Sequence, residues 1–392
     1  MNDIVFTKTQ GGVLRSLPGE DHISGFVFYI ADADLPAGFS TTSRIKSYAS
    51  IASVEEDGIV STSEKWIVKA IHYHLSEFFR IAPQGIAYVG LFTPAAETYD
   101  YAEITTLQNA ADGKIRQLGV YNPNNEIAGA DITAMQAIAT LLETQKMPLS
   151  IIAGLNLTSS ATLAAAESLA AVGQANVSIV IGQDGEGVAK TLFDDAGAIG
   201  SITCVGTILG MLSKASVHES IAWVQKFPSG LNNPALADGE LIKEIDASVL
   251  EALNTSRYIF LRKHVGIAGS YVNDSHTMEL ATSDYAYIEN VRTIDKAIRG
   301  IRTYLLPYLS SPLYVDPETG KLRPDTVAFI ETLAGKQLEN MEADGELSGY
   351  SCEVDPAQNV LSSSEVEIVI KKIGVGVMRK VNVKIGYTTK LD

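Results

Sequence analysis

Cysteine is scarce in this chain: Cys204 and Cys352 are the only two among 392 residues. A disulfide framework needs more, so folding in a reducing, cytoplasmic compartment is expected. Positive charge is also in short supply, with 30 Lys and Arg against 46 Asp and Glu and a net charge of −16. Such a surface repels nucleic-acid phosphates and acidic membranes, so neither is expected as a partner. Long apolar runs are missing as well. The longest uncharged one, Ala196 to Leu212, falls short of the ~20 residues of a membrane span. Its glycines 197, 200, 206 and 210 predict a buried helix that packs closely through small residues. The opening Met1-Asn-Asp-Ile has neither the basic nor the apolar stretch of a signal peptide, so no leader is expected.

Catalytic signatures are absent too. His72 and His74 stand two apart on a predicted helix, about 200° around its axis, and cannot share a metal. His218 is followed by Glu219, but Ala222 occupies the second zinc-ligand position of a metalloprotease helix. There is no Cys-x-x-Cys and no G-x-S-x-G elbow. The nearest decoy is Gly182-Gln-Asp-Gly-Glu-Gly187, which follows a predicted strand as a phosphate loop would. Val188 and Ala189 stand where Lys and Ser or Thr are needed, and Asp184 and Glu186 would repel phosphate. Glu55-Glu56 and Asp194-Asp195 read as solvated surface. No enzyme activity, cofactor or metal is expected.

What the chain does have is apolar patterning. Hydrophobic residues make up 46% and charged ones 19%, a globular balance. At this length two or more domains are expected. Strands are predicted at Ile23–Ile30, Ile86–Phe92, Ile115–Tyr121, Leu149–Leu155 and Val177–Ile181. Helices are predicted at Glu64–Arg80, Ile132–Thr144, Ser160–Ala171, Val188–Asp194 and Leu241–Leu253. Apolar strands alternating with helices predict a βαβ layer. Further on come strands at Tyr258–Leu261 and Val265–Val272 and a helix from Asp284 to Leu306. A second helix opens at Pro324, with Val327, Ile330, Ala334, Leu338 and Met341 along one face. The fold class is therefore α/β and α+β: a βαβ-type middle domain and a C-terminal α+β domain with extended terminal arms. The expected divisions are an arm over 1–20, a first part of the core over 21–92, a middle α/β domain over 93–256, a C-terminal domain over 257–379, and a terminal strand over 380–392.

The last third carries a resemblance. A polar turn, Tyr271-Val-Asn-Asp-Ser-His-Thr277, precedes Asp284-Tyr285 and the helix Val291-Arg-Thr-Ile-Asp-Lys-Ala-Ile-Arg299. Gly320-Lys-Leu322, a long helix and Met341-Glu-Ala-Asp-Gly-Glu-Leu-Ser-Gly-Tyr350 follow. This order resembles the C-terminal domain of tail sheath proteins from contractile phages, tailocins and related injection systems. Gly11-Gly12 and Gly19-Glu-Asp-His-Ile-Ser-Gly25 resemble a divergent, Mu-like branch, and Ala196 to Trp223 resembles the small-residue helix and following segment of sheath middle domains. Tyr271 departs from the pattern, standing where many sheaths have Trp. The chain is also shorter than many phage sheaths, which implies few outer decorations.

The resemblance implies a virion structural protein that polymerises helically with itself around an inner tube, meets baseplate and tail terminator proteins, and contracts without nucleotide. Assembly would occur in the bacterial cytoplasm, within a phage tail or injection particle. It implies joints made by exchanged terminal strands, for which the candidates are Ile4 and Phe6 at one end and Val381, Val383, Ile385 and Tyr387 at the other. In the helix Glu289–Leu306, Arg292, Lys296 and Arg299 make one basic stripe opposite Ile294, Ile298, Ile301 and Leu305. The resemblance places this helix near the tube, so the stripe is a candidate tube contact; the alternative is a solvated face paired with local acids such as Asp295. Two rival readings stay open: an α/β hydrolase or nucleotide-binding enzyme, and another virion component of the tube, baseplate or capsid.

Overall fold

The computed structural model describes residues 19–95, 98–123, 126–127, 129–156, 168–170, 172–196 and 200–387. The expected helix over Ser160–Ala171 falls mostly outside these residues, as do Ile4 and Phe6.

A six-stranded sheet organises the larger part of the chain. Its strands are β1 (Ile23–Tyr29), β2 (Ile45–Tyr48), β3 (Ile86–Phe92), β4 (Gln117–Tyr121), β5 (Ser150–Gly154) and β6 (Val177–Val180), in the spatial order β2-β3-β1-β4-β5-β6. All neighbours are parallel except β2, which runs antiparallel along β3. β1 is central, with Phe26 opposite Val89 on one side and Gly119 on the other.

Successive side chains of β1 point to opposite faces and enter different cores. Phe26 and Phe28 pack with helix α2 (Trp66–Ile81) and with helix α6 (Val205–Lys214) through Phe78, Ile208 and Leu209. Helix α5 (Gly187–Ala196) joins this layer through Leu192, and the short helix α1 (Ile51–Glu56) does so through Val54. Val27 and Tyr29 face helices α3 (Ala102–Ala110) and α4 (Gly129–Thr144), meeting Ile104, Leu107, Met135 and Leu142. A sheet buried on both faces explains why β3 to β6 read as nearly continuous apolar runs.

The expected boundary at 92/93 is corrected by this sheet. β1 bonds to β3 and β4 at once, so the stretches 21–92 and 93–256 form one domain. The boundary at 257 moves as well. Ile259 extends the sheet beyond β6, with its amide donating to the Ile179 carbonyl at 2.9 Å and its carbonyl accepting from Ile181 at 2.8 Å.

Smaller pieces complete this domain. β7 (Gly182–Asp184) pairs with β8 (Pro234–Leu236), and helix α7 spans Ala247–Thr255, starting later than Leu241. β9 (Leu261–Arg262) pairs with β10 (Tyr271–Val272). The strand expected over Val265–Val272 is reduced to its last two residues, because Gly266 and Gly269 take φ of +85° and +91° and Val265 projects fully into solvent. The helix expected over Ala196–Leu212 is also split. α5 ends at Ala196, Gly200 takes φ of +127°, and α6 starts only at Val205.

The C-terminal domain consists of helices α8 (Ile288–Leu305) and α9 (Pro324–Ala343), strand β11 (Leu347–Glu353), the single turn α10 (Val360–Ser363), and strand β12 (Val369–Gly374), antiparallel to β11. Pro324 opens α9, and Ile330, Ala334, Leu338 and Met341 are buried along it as their spacing predicts. Leu338, Met341 and Leu347 close on Ala297 of α8.

Candidate functional site

The C-terminal segment follows β12. Val381, Val383, Ile385 and Tyr387 alternate with Asn382, Lys384 and Gly386, which predicts a strand. Among the described residues the segment pairs with no strand. Its four apolar side chains are 63, 77, 95 and 111% exposed, and every described residue from Lys380 to Tyr387 is exposed. Fully solvated alternating apolar side chains have no packing gain within this subunit.

Beside this segment stands a hairpin short of strands. β11 and β12 form a two-stranded sheet whose outer edges are unpaired among the described residues. Two strands alone are marginal, and α9 supports only part of the sheet. Val369 and Ile373 of β12 are 46 and 66% exposed. Unpaired backbone and exposed apolar side chains are the features by which sheet edges in general take on further strands.

The basic stripe of α8 lies elsewhere than expected. Arg292 is 3% exposed, and its Nη2 donates to the carbonyls of Leu212 at 2.9 Å and Ala215 at 3.3 Å. Lys296 Nζ sits 2.6 Å from Glu346 Oε1 and 3.1 Å from Asp21 Oδ2. Arg299 Nη2 is 2.9 Å from Asp21 Oδ1. The stripe therefore faces the sheet domain and does not form an open, tube-facing surface. Conversely, Ile298 of the expected core-facing stripe is 38% exposed. The reason is that the first half of α8 is a seam, enclosed by the sheet domain on one side and α9 on the other, and polar partners line the sheet-domain side. Asp295, the expected local partner, is buried and pushed up to about 7, mainly by desolvation. Burial alone would raise Asp21, but Lys296, Arg299 and Arg292 hold its carboxyl below the ordinary value.

A second charged cluster, which sequence reasoning missed, holds the foot of the C-terminal segment. Arg379 Nε lies 3.1 Å from both carboxylate oxygens of Asp274, and its Nη2 donates to Glu289. Its guanidinium carbon sits 3.4 Å from the centre of the Tyr287 ring, and Arg257 approaches that ring at 5.1 Å. Glu289 is buried and also accepts from Ser275 Oγ at 2.5 Å. Burial pushes its carboxyl up, against the pull of Arg379 and Ser275. The only sequence signals for this cluster were a carboxylate in the first turn of a helix and an acid inside the polar turn 271–277.

The decoy loop is closed by its own acids. Asp184 Oδ1 accepts the Glu186 amide at 3.3 Å, and Glu186 accepts from Asn233 Nδ2 at 2.6 Å. Desolvation pushes Asp184 up to about 6. The Asp184 carboxylate thus takes up one loop amide and adds negative charge where a phosphate would need donors. His72 bonds Glu55 at 2.9 Å, while His74 is fully buried among Phe28, Tyr73 and Tyr121 and driven down to about 3 by desolvation. Among the described residues no group of three His, Cys, Asp or Glu side chains could hold a metal, and no helix is long and apolar enough to cross a membrane.

The chain thus joins an α/β domain with a largely parallel sheet to a C-terminal α+β domain along α8, a fold similar to those of solved sheath tail proteins. Solved structures share this fold along nearly the whole chain: a chain of the anti-feeding prophage baseplate shares 16% identity, covers 99% of this chain and 100% of its own, and superposes with a TM-score of 0.63. The sheath complex of the extracellular contractile injection system PVC, in its contracted state, gives 12% identity, 99 and 98% coverage and 0.63. A sheath tail protein from Listeria innocua gives 10%, 91 and 96%, and 0.54. Two family models match, the DUF2586 N-terminal domain over residues 3–276 and the DUF2586 C-terminal domain over 284–392, and the chain belongs to the DUF2586 family. Their junction agrees with the boundary set by Ile259 and α8. No curated protein matches the chain.

Proposed function

We propose that this chain is the structural subunit of a contractile sheath, which polymerises helically around an inner tube and shortens to drive the tube through a target envelope. The observation that carries the reading is the presence together of an exposed, alternating apolar C-terminal segment and a two-stranded sheet with no further strand among the described residues. In this reading one subunit would supply both halves of a strand-addition joint. Val381, Val383, Ile385 and Tyr387 would add to the β11–β12 sheet of an adjacent copy, and Ile4 and Phe6 would do the same from the other end. Main-chain hydrogen bonds would then link neighbours while the domains move as rigid bodies.

Its partners in this reading are further copies of itself, an inner tube, and baseplate and terminator proteins at the two ends. The particle would assemble inside a bacterial cell as part of a phage tail or injection machine. No catalysis is required, since a metastable lattice supplies the work. Electron microscopy of the expressed chain, alone and with its tube protein, tests this directly. Hollow ridged cylinders are expected. A chain that stays monomeric at high concentration with the tube present overturns the reading.

A further inference from the structure

We propose that Arg379 and Asp21 are positioning residues that fasten both ends of the described chain to the single helix α8, and so fix the direction in which the C-terminal segment leaves the body. Glu289, in the first turn of α8, receives Arg379. Lys296 and Arg299, two to three turns later, receive Asp21. Seven residues of helix separate Glu289 from Lys296, which is about 10 Å along one rigid rod.

Each fastening is over-determined. The Arg379 guanidinium is held by the Asp274 carboxylate, by the Glu289 carboxylate and by stacking on Tyr287, which together fix both its position and its plane. The Glu289 side chain is 2% exposed, so removing Arg379 would leave a buried carboxylate without its cation, held only by the Ser275 hydroxyl and a backbone amide. Past Arg379 every described residue is exposed, so among the described residues it is the last side chain by which the body holds the segment.

Asp21 stands two residues before β1, the central strand of the six-stranded sheet. The connected path therefore runs from the C-terminal segment through Arg379 to α8, and through Asp21 to the middle of the sheet. A pull on the segment reaches the largest core directly. It bypasses the two-stranded β11–β12 sheet. This last consequence rests on the sheath reading; the fastening itself does not.

The test places nitroxide pairs on the full chain, at Val381→Cys and Leu141→Cys in a Cys352→Ser background, with Cys204 buried and silent. Pulsed electron resonance on the monomer should give one narrow distance distribution. Arg379→Ala should broaden it at least twofold, and Lys380→Ala, the exposed cation next door, should leave it narrow. Asp274→Asn, which keeps the side-chain shape, should also broaden it and guards against a folding defect in Arg379→Ala. Equal widths in all four proteins overturn the proposal. In assembly, Arg379→Ala should lower the fraction of chain pelleting as tubes at least tenfold. A parent chain that forms no tubes speaks against the sheath reading, and the monomer distances still decide the fastening.

Discussion

The guanidinium of Arg292 donates to the carbonyl oxygen of Leu212 at 2.9 Å, across the seam between the two domains. Leu212 lies in the last turn of α6, where carbonyls have no partner within the helix. A cation there also meets the negative end of the helix dipole. Burial lowers Arg292 to about 10, which still leaves it charged at neutral pH. Arg292→Met keeps much of the volume but strands these carbonyls, along with the Asp21 carboxylate that Arg292 helps to balance. A loss of about 3 kcal/mol is expected, seen as a lower urea midpoint with an unchanged slope.

Gly206 allows α6 to touch α2. A Cβ built there would lie 2.7 Å from the carbonyl carbon and 2.8 Å from the Cα of His74, and would collide with its carbonyl oxygen. These are backbone atoms and cannot rotate away. Gly206→Ala is expected to cost about 3 kcal/mol or more. Gly210→Ala, whose Cβ would meet Ile81 Cβ and Phe78 O at 3.0 Å, should cost less. Thermal melts of the two variants should rank in that order.

Asp295 makes stability depend on pH. Desolvation raises its carboxyl from 3.8 to about 7, with Arg299, Arg116 and Arg292 pulling it down and Glu143 pushing it up. The fold thus favours the neutral acid. Its contribution is complete below about pH 4 and declines as pH rises through 7. Asp295→Asn should match the parent near pH 4 and exceed it by about 2 kcal/mol at pH 8. Urea melts at both pH values check the sign; a variant less stable at pH 8 would contradict it.

Deleting residues 381–392 separates folding from assembly. The described part of this stretch is wholly exposed, so the monomer's melt should shift by less than about 0.5 kcal/mol. The same deletion should abolish tube formation, as judged by sedimentation and negative-stain microscopy.

The sheet domain was legible because its signals are local. Ile86–Phe92 appears with the predicted bounds, and α2, α4 and α5 within a few residues of theirs. β2 and α3 were missed, since Ile45–Tyr48 is a short, half-exposed edge and Ala102–Ala110 has little amphipathic contrast. The domain boundary failed because strand order is non-local: nothing near Ile23 announces that residues near 90 and 120 will flank it. The stripe on α8 failed for a different physical reason. Periodicity finds which residues share a helix face, but it assumes that charge points to water. Here Asp21, some 270 positions away, turns two of those cations inward, and two helix-end carbonyls take the third. The alternation over Val381–Tyr387 was readable in the sequence because it is local, and these side chains are exposed in the single chain.

The central place of β1 has a bearing on synthesis. Among the described strands it is the first to leave the ribosome, yet the strands that flank it are completed only some sixty and ninety residues later. Until then a nascent chain carries Phe26, Val27, Phe28 and Tyr29 with no sheet on either edge, an aggregation-prone stretch that translation must outrun or a chaperone must shield.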